Sequence, residues 1–370
     1  MPKEVHIVGA GVIGLLLGKE LASSGIKTTV YDAKKAVSDN TAKASGIFSK
    51  EGLATLGVDY DDAVVNTLDG AILHAGNEKM RIRSPSLKAY VLDRGDFASL
   101  CAKEAKSAGA DIVLSNRFEK KAMLELQKDD SNIIVGADGA VSTVASAFGF
   151  PEIREYILTY KSEYENARVE DEHLVELFFS NKIAHRFFGW TVPYSKTKLE
   201  VGVGVSMRAK KNSTYAFNQL VNMDYLKGIL ANSKKTAGYA SLIPLGARAQ
   251  TVKKNVLLVG DAAGQVKATT GGGIIFGAAC AKTAARSIID AVEKGRPLAT
   301  YEKEWRRRYE LDLKMHDFLH KMYSGFSEKG LGRLMKVARA FGMERFLGLY
   351  GDMDRPSVVI KRFFLRGHGE

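Results

Sequence analysis

Apolar runs that end in glycine, each followed by an apolar stretch of helical length, recur in three separated parts of the chain. Residues 1 to about 60, about 88 to 150 and about 250 to 295 read in this way as alternating strand and helix. Between them the period changes. "AVVNTLDGAILHAGNEKMRIRS", from Ala63, reads as a hairpin. "EIREYILTYKSEYENARVEDEHLVELFFSNKIAHRFFGWTVPYSKTKLEVGVGVSM", from Glu152, alternates apolar and polar positions over several runs, as an antiparallel sheet does. "SNRFEKKAMLELQKDDSN", from Ser115, is shorter than a three-stranded excursion and reads as a reduced β-meander. From Thr300 onward the pattern is mostly helical. No internal repeat or low-complexity linker interrupts it. The predicted class is α/β. A discontinuous Rossmann-type domain (1–60, 88–150 and 250–295) carries an inserted antiparallel β-sheet substrate domain (61–87 and 151–249) and a C-terminal helical region (296–370).

The first strand-turn-helix unit holds the first chemistry. In "EVHIVGAGVIGLLLGKELASSGIKTTVYDAKK" the residues Gly9, Gly11 and Gly14 make G-x-G-x-x-G. Gly9 allows the tight turn, Gly11 lets a pyrophosphate approach, and Gly14 lets the helix pack on the strand. The helix N-terminus then offers its free N–H groups to the phosphates. Asp32 ends the second strand, where a carboxylate can bind the adenosine ribose. NAD and FAD both satisfy this motif.

Two more segments narrow the choice. "NIIVGADGAVSTVASAFG" runs a strand into Asp138-Gly139, and "LLVGDAAGQVKATTGGGIIFGAACA" places Gly260-Asp261 and three glycines before a helix from about Ile274. With the N-terminal motif they resemble the FAD-dependent oxidoreductases related to p-hydroxybenzoate hydroxylase. The resemblance implies FAD, with its ADP half at Gly9, Gly11, Ile13, Gly14 and Asp32, its pyrophosphate near Asp138 and Gly139, and its ribitol at Gly260 and Asp261. It also implies that Gly272, Gly273 and Ile274 face the flavin ring, where the positive helix end favours the reduced form. Arg94, which opens the helix of "YVLDRGDFASLCAKEAKSAGADIVL", is implied to contact FAD, as are Ser45 and Gly46. Disulfide reductases also bind FAD but need a redox C-x4-C near the first helix, which this chain lacks.

Within that superfamily the chain is most similar to the geranylgeranyl reductase family, including the archaeal digeranylgeranylglycerophospholipid reductases. "GDAAGQVKATTGGGIIFG", "FFGWTVPYSKTKLEVGVGV" and "YGDMDRPS" carry the likeness. Phe188, Trp190, Val192 and Pro193 stand at the family's Tyr-x-Trp-x-Phe-Pro motif. Several positions depart from it. Phe188 replaces Tyr, Val192 replaces Phe, Tyr194 replaces a basic residue, Ala268 stands where Pro is common, and Ser45 stands where many members have cysteine. The implied activity is hydrogenation of isoprenoid double bonds by hydride from reduced flavin, with Phe188, Trp190, Pro193 and Tyr194 lining the substrate. Tyr194 and His185 are proton-donor candidates by neighbourhood alone, and an exposed polar role is the plainer reading of both. The implied substrate is an isoprenoid lipid or prenyl diphosphate. NAD(P)H or reduced ferredoxin are the candidate electron donors. "VGVGV", Val201 to Val205, lacks a third glycine and a following helix, so NAD(P)H would have no domain of its own. Gly202 and Gly204 read instead as strand glycines that admit another backbone or a ligand.

Composition bounds the alternatives. The 370 residues are 45% hydrophobic without an apolar run of membrane-spanning length. The N-terminus reads as a first strand, not a signal peptide. Two cysteines, Cys101 and Cys280, form no disulfide framework, which predicts a reducing, cytoplasmic setting. His316 and His320, four apart, lack the Glu and third ligand of a zinc motif, so no metal site is expected. The net charge is +12, with 15 Lys or Arg against 10 Asp or Glu from Thr300 to Glu370. This basic helical surplus suits either peripheral contact with the inner face of an anionic membrane or a solvated helical face packed on the nucleotide-binding domain. No helix-turn-helix, zinc or RNA-binding signature accompanies the charge, so a nucleic-acid partner is not expected. The competing enzyme reading is an FAD monooxygenase acting on an aromatic substrate.

Overall fold

The computed structural model describes residues 4–366, so residues 1–3 of the predicted first strand and 367–370 of the basic tail lie outside the described residues. The chain opens with β1 (Glu4–Val8), α1 (Val12–Ser23), β2 (Thr28–Tyr31), β3 (Ile47–Ser49) and α2 (Lys50–Ala54). Four strands follow: β4 (Val64–Leu68), β5 (Gly70–Ala75), β6 (Glu78–Arg83) and β7 (Ala89–Leu92). Then come α3 (Arg94–Ser107), β8 (Asp111–Val113), α4 (Lys120–Gln127), β9 (Asn132–Gly136) and α5 (Thr143–Ala147). The insertion holds β10 (Glu155–Glu165), β11 (Leu174–Phe179), β12 (Gly189–Pro193), β13 (Leu199–Ser206), α6 (Ser213–Val221), α7 (Asp224–Leu230) and β14 (Lys234–Leu245). The last part is β15 (Val252–Lys253), β16 (Val256–Leu258), α8 (Ile274–Lys294), α9 (Thr300–Gly325), α10 (Glu328–Ala340), α11 (Met343–Tyr350) and α12 (Pro356–Arg366).

A six-stranded sheet, β15-β16-β9-β1-β2-β8, forms the nucleotide-binding layer. Its strands are parallel except for β15 at the edge. Because strand side chains alternate, β1 feeds two cores. Val5 and Ile7 join α1, α3 and α8 on one face, and Val8 joins Met123 and Val144 on the other. The second face departs from the sequence reading. Where a β-meander was expected, α4 forms instead. "KKAMLELQ" is built from strong helix formers, and Met123 with Leu126, three apart, packs it onto the sheet.

The insertion folds as a seven-stranded sheet, β14-β10-β13-β12-β11-β5-β6. All neighbours are antiparallel except β11 and β5. The expected hairpin is β5–β6. β4 leaves it and pairs with β7 in a small β3-β7-β4 sheet. On β13 the odd positions Val201, Val203 and Val205 pack against α6 and α7. The even positions Glu200, Gly202 and Gly204 therefore point the other way, to the face that carries Lys161 and Trp190. Lys161 Nζ reaches the Ala44 carbonyl at 3.3 Å, so this face meets the nucleotide-binding domain.

Candidate functional site

The β1–α1 turn follows its sequence reading. Gly9 has φ of 111°, a conformation that L side chains rarely adopt. A Cβ on Gly14 would overlap the Gly9 carbonyl oxygen, so α1 sits directly on the turn. A Cβ on Gly11 would meet no heavy atom within 4 Å. Gly11 is also the N-cap of α1, and no side chain caps that helix. Space and unsatisfied N–H groups thus coincide where a pyrophosphate is expected. Asp32 ends β2 as expected. Its Oδ2 accepts from Ala10 N at 2.8 Å and its Oδ1 from Lys34 N at 3.0 Å, bracing the turn.

The late segment returns to this turn. Ile13 packs against Gly260 and Gly277, which brings α1 and α8 together. α8 begins at Ile274 with Gly273 as N-cap and no side-chain cap. Gly273 has no side chain because Asp261 Oδ1 occupies that space. Burial pushes the Asp261 carboxyl up to about 6, against the opposing pull of Arg94. Arg94 opens α3, and its guanidinium lies over the Phe48 ring at 5.3 Å. Its Nε is buried without a hydrogen-bond partner, and burial lowers its pKa. An orphaned cationic N–H beside a carboxyl, open space at Gly11 and two uncapped helix ends fit a dinucleotide with an anionic pyrophosphate. Asp138 is turned to a local task. Its carboxylate accepts from Ser142 Oγ, Thr143 Oγ1 and Val144 N, fastening the start of α5. The adjacent Gly139, with φ of 82°, leaves open space. Gly46 is pressed against the Leu92 carbonyl, so Ser45 projects from a fixed backbone.

The sheet opposite supplies the other wall. Trp190 lies flat on β13 because Gly202 and its missing Cβ make room for the indole. Phe187 lies over Gly204 in the same way. What these glycines admit is therefore aromatic side chains, where another backbone or a ligand was expected. Phe188 stacks on Phe187 at 4.2 Å between centroids and touches Trp190 edge-on. Tyr194 is half-buried, contrary to the exposed reading, and its OH donates to Glu200 at 3.1 Å. Burial first, then Glu200, raises its phenol and makes it a poor acid. Pro193 faces the other side of the sheet with Thr191, Leu199 and Ile229, apart from Phe188, Trp190 and Tyr194. His185 is exposed.

Sequence reasoning missed four residues here. Glu200 and Lys161, wholly buried, form an ion pair at 2.5 Å. Lys267 and Asp354, also buried, pair at 2.6 Å. Asp354 accepts a further bond from Ser49, and the neutral His316 ring bridges its carbonyl (3.1 Å) to Thr269 (2.6 Å). These contacts strap the segment after α11 onto the Thr269–Gly273 loop. The other histidine of the pair, His320, donates to the Arg186 carbonyl at 2.9 Å.

The model of the FAD binding domain family matches residues 3–311. An uncharacterised protein of Methanocaldococcus jannaschii is 27% identical, over 96% of this chain and 93% of its own. A digeranylgeranylglycerophospholipid reductase of Methanococcus aeolicus is 26% identical, over 90% and 89%. Among solved structures, a geranylgeranyl bacteriochlorophyll reductase-like protein of Thermoplasma acidophilum superposes with a TM-score of 0.81 at 19% identity, over 97% and 94%. A flavin-dependent brominase superposes with a TM-score of 0.72 at 14% identity, over the full length of both.

Proposed function

The chain belongs to the FAD binding domain family, and from that premise we propose that it is an FAD-dependent reductase that hydrogenates double bonds in isoprenoid lipid chains. The observation that carries this reading is the apolar cluster in which Phe188 and Trp190 pack with Ala268 of the late glycine-rich loop. The near full-length similarity to reductases of digeranylgeranylglycerophospholipid supports the same substrate class. When bound, reduced FAD supplies the hydride. The cofactor set is Gly9, Gly11, Ile13, Gly14 and Asp32 for the adenosine half, Arg94, Gly139, Gly260 and Asp261 for the middle, and Ser45, Gly46, Gly272, Gly273 and Ile274 for the ring. Asp138 holds the Gly139 turn.

Phe188 and Trp190 orient the chain and exclude water. That exclusion matters because an unactivated alkene reacts only when hydride and proton reach its two carbons together. Two electrons leave the donor, one C=C bond is lost, and two C–H bonds form. Isoprenoid chains reside in bilayers, so the enzyme meets them at a membrane surface. Exposed Leu334, Val337 and Phe341 on and beside α10, alternating with exposed Arg333 and Lys336, suit such contact. No helix among the described residues is long and apolar enough to cross a membrane.

The test is anaerobic. Chemically reduced holoenzyme is mixed with a geranylgeranyl-chain phospholipid, flavin absorbance is followed, and the lipid is weighed by mass spectrometry. A gain of two hydrogens per bond with flavin reoxidation is expected. No reoxidation by lipid, together with oxygen-dependent hydroxylation of an aromatic compound, would replace this reading by the monooxygenase.

A further inference from the structure

The buried Glu200 carboxylate stands at a convergence of side chains that the sequence reading had assigned separately. Its Oε1 accepts from Trp190 Nε1 at 2.8 Å and from Ser45 Oγ. Its Oε2 accepts from Lys161 Nζ at 2.5 Å and from Tyr194 OH at 3.1 Å. A carboxylate has about four acceptor positions, and here four donors fill them. Glu200 therefore only accepts, with no acceptor position left over. Lys161 matches its charge and also reaches the Ala44 carbonyl, next to Ser45.

A buried ion pair is weak in stabilising a fold, since apolar residues of the same volume often do as well. Another use accounts better for this one. The three neutral donors come from two domains. Ser45 belongs to the loop before β3, while Trp190 and Tyr194 belong to the substrate sheet. Only a single acceptor between them fixes the hydroxyl and the indole at one relative position. We propose that Glu200 is a positioning residue for the reduction, setting Ser45 and Trp190 so that the isoprenoid double bond is held at the hydride-donating edge. This rests on the reading of the protein as an isoprenoid reductase.

The test uses FAD-loaded protein. In Glu200→Gln an NH2 replaces one oxygen and confronts two donors wherever it points. Flavin content and dithionite reduction should stay as in the wild type. Reoxidation by the geranylgeranyl lipid in a single turnover should fall about 100-fold, the scale of a misplacement near 1 Å, with lipid affinity little changed. A second readout is independent of turnover. In a Trp305→Phe background Trp190 is the sole tryptophan, and Glu200→Gln should make its emission more accessible to acrylamide. The double variant Lys161→Gln/Glu200→Gln removes both charges and guards against misfolding from a lone buried ammonium. Trp190→Phe removes the N–H together with the pyrrole ring that packs on Gly202. Wild-type turnover in the folded double variant, or in Trp190→Phe, overturns the proposal and leaves Glu200 a structural ion pair. Failure of the wild-type protein itself to react with the lipid would instead overturn the functional reading.

Discussion

At Gly11 two effects that a substitution usually mixes come apart. Open space surrounds the position, so a side chain there fits the protein. Gly11→Asp should therefore purify without flavin, because its carboxylate meets the pyrophosphate, yet melt at the temperature of flavin-stripped wild-type protein. Full flavin absorbance in that variant would show that the phosphates lie elsewhere. Gly14→Ala should do the reverse and destabilise the fold itself, by about 3 kcal/mol, since its Cβ strikes backbone. Differential calorimetry of the two variants separates the cases. Both glycines were legible because a local motif encodes them. Glu200 was not. In "KLEVGVGVS" it occupies a polar position of an alternating strand, the usual sign of a solvated face. Its partners Lys161 and Ser45 lie 39 and 155 residues away. Pro193 shows the opposite failure. Sequence neighbourhood grouped it with Trp190, but a separation of three residues in a strand puts the two on opposite faces.

Among the elements, α8 was legible, with its start expected at about Ile274, since three glycines and an apolar helical run mark where it begins. α4 was not, because a segment of that length between two strands suits a short strand excursion as well as the helix that its residues favour. The strap after α11 was visible only as a resemblance, and its contacts give it a pH dependence. Burial holds the His316 imidazole down to about 4, against an ordinary 6.5. Between those values the unfolded chain binds a proton that the folded one refuses, so stability falls as pH drops through this window. The full gap corresponds to about 3 kcal/mol. Asp354 acts lower. Burial raises its carboxyl, but Lys267 brings it net below the ordinary carboxylate value. Its contribution, present above that value, is lost only in stronger acid. Over pH 7 to pH 4.5 the His316 contribution to thermal stability should thus slope downward, opposed by Asp261, whose raised carboxyl gives the reverse slope. His316→Gln, whose amide can serve both hydrogen-bond partners without titrating, should flatten that slope. An equally steep fall in the variant would assign the effect to other groups.

For the whole molecule, apolar exposure is uneven. Phe318, Phe341 and Phe363 stand at 66%, 83% and 47% exposure on the C-terminal helices, amid the basic surplus. The intact protein should float with anionic vesicles at low salt, less at high salt, and less again when residues after Ser357 are removed. Recovery wholly in the supernatant at low salt would make those helices a solvated face. The order in which the sheets are threaded has a further consequence, for synthesis. β9 gains its second neighbour, β16, only after the whole seven-stranded insertion has been made, because Ile134 pairs with Val256. At ordinary translation speeds the ribosome needs roughly ten seconds to cover that interval. Throughout it a buried-type strand offers an open edge, and α8 does not yet exist. Cofactor capture therefore comes late, after α8 has been made. Until then that edge is open to pairing with another copy.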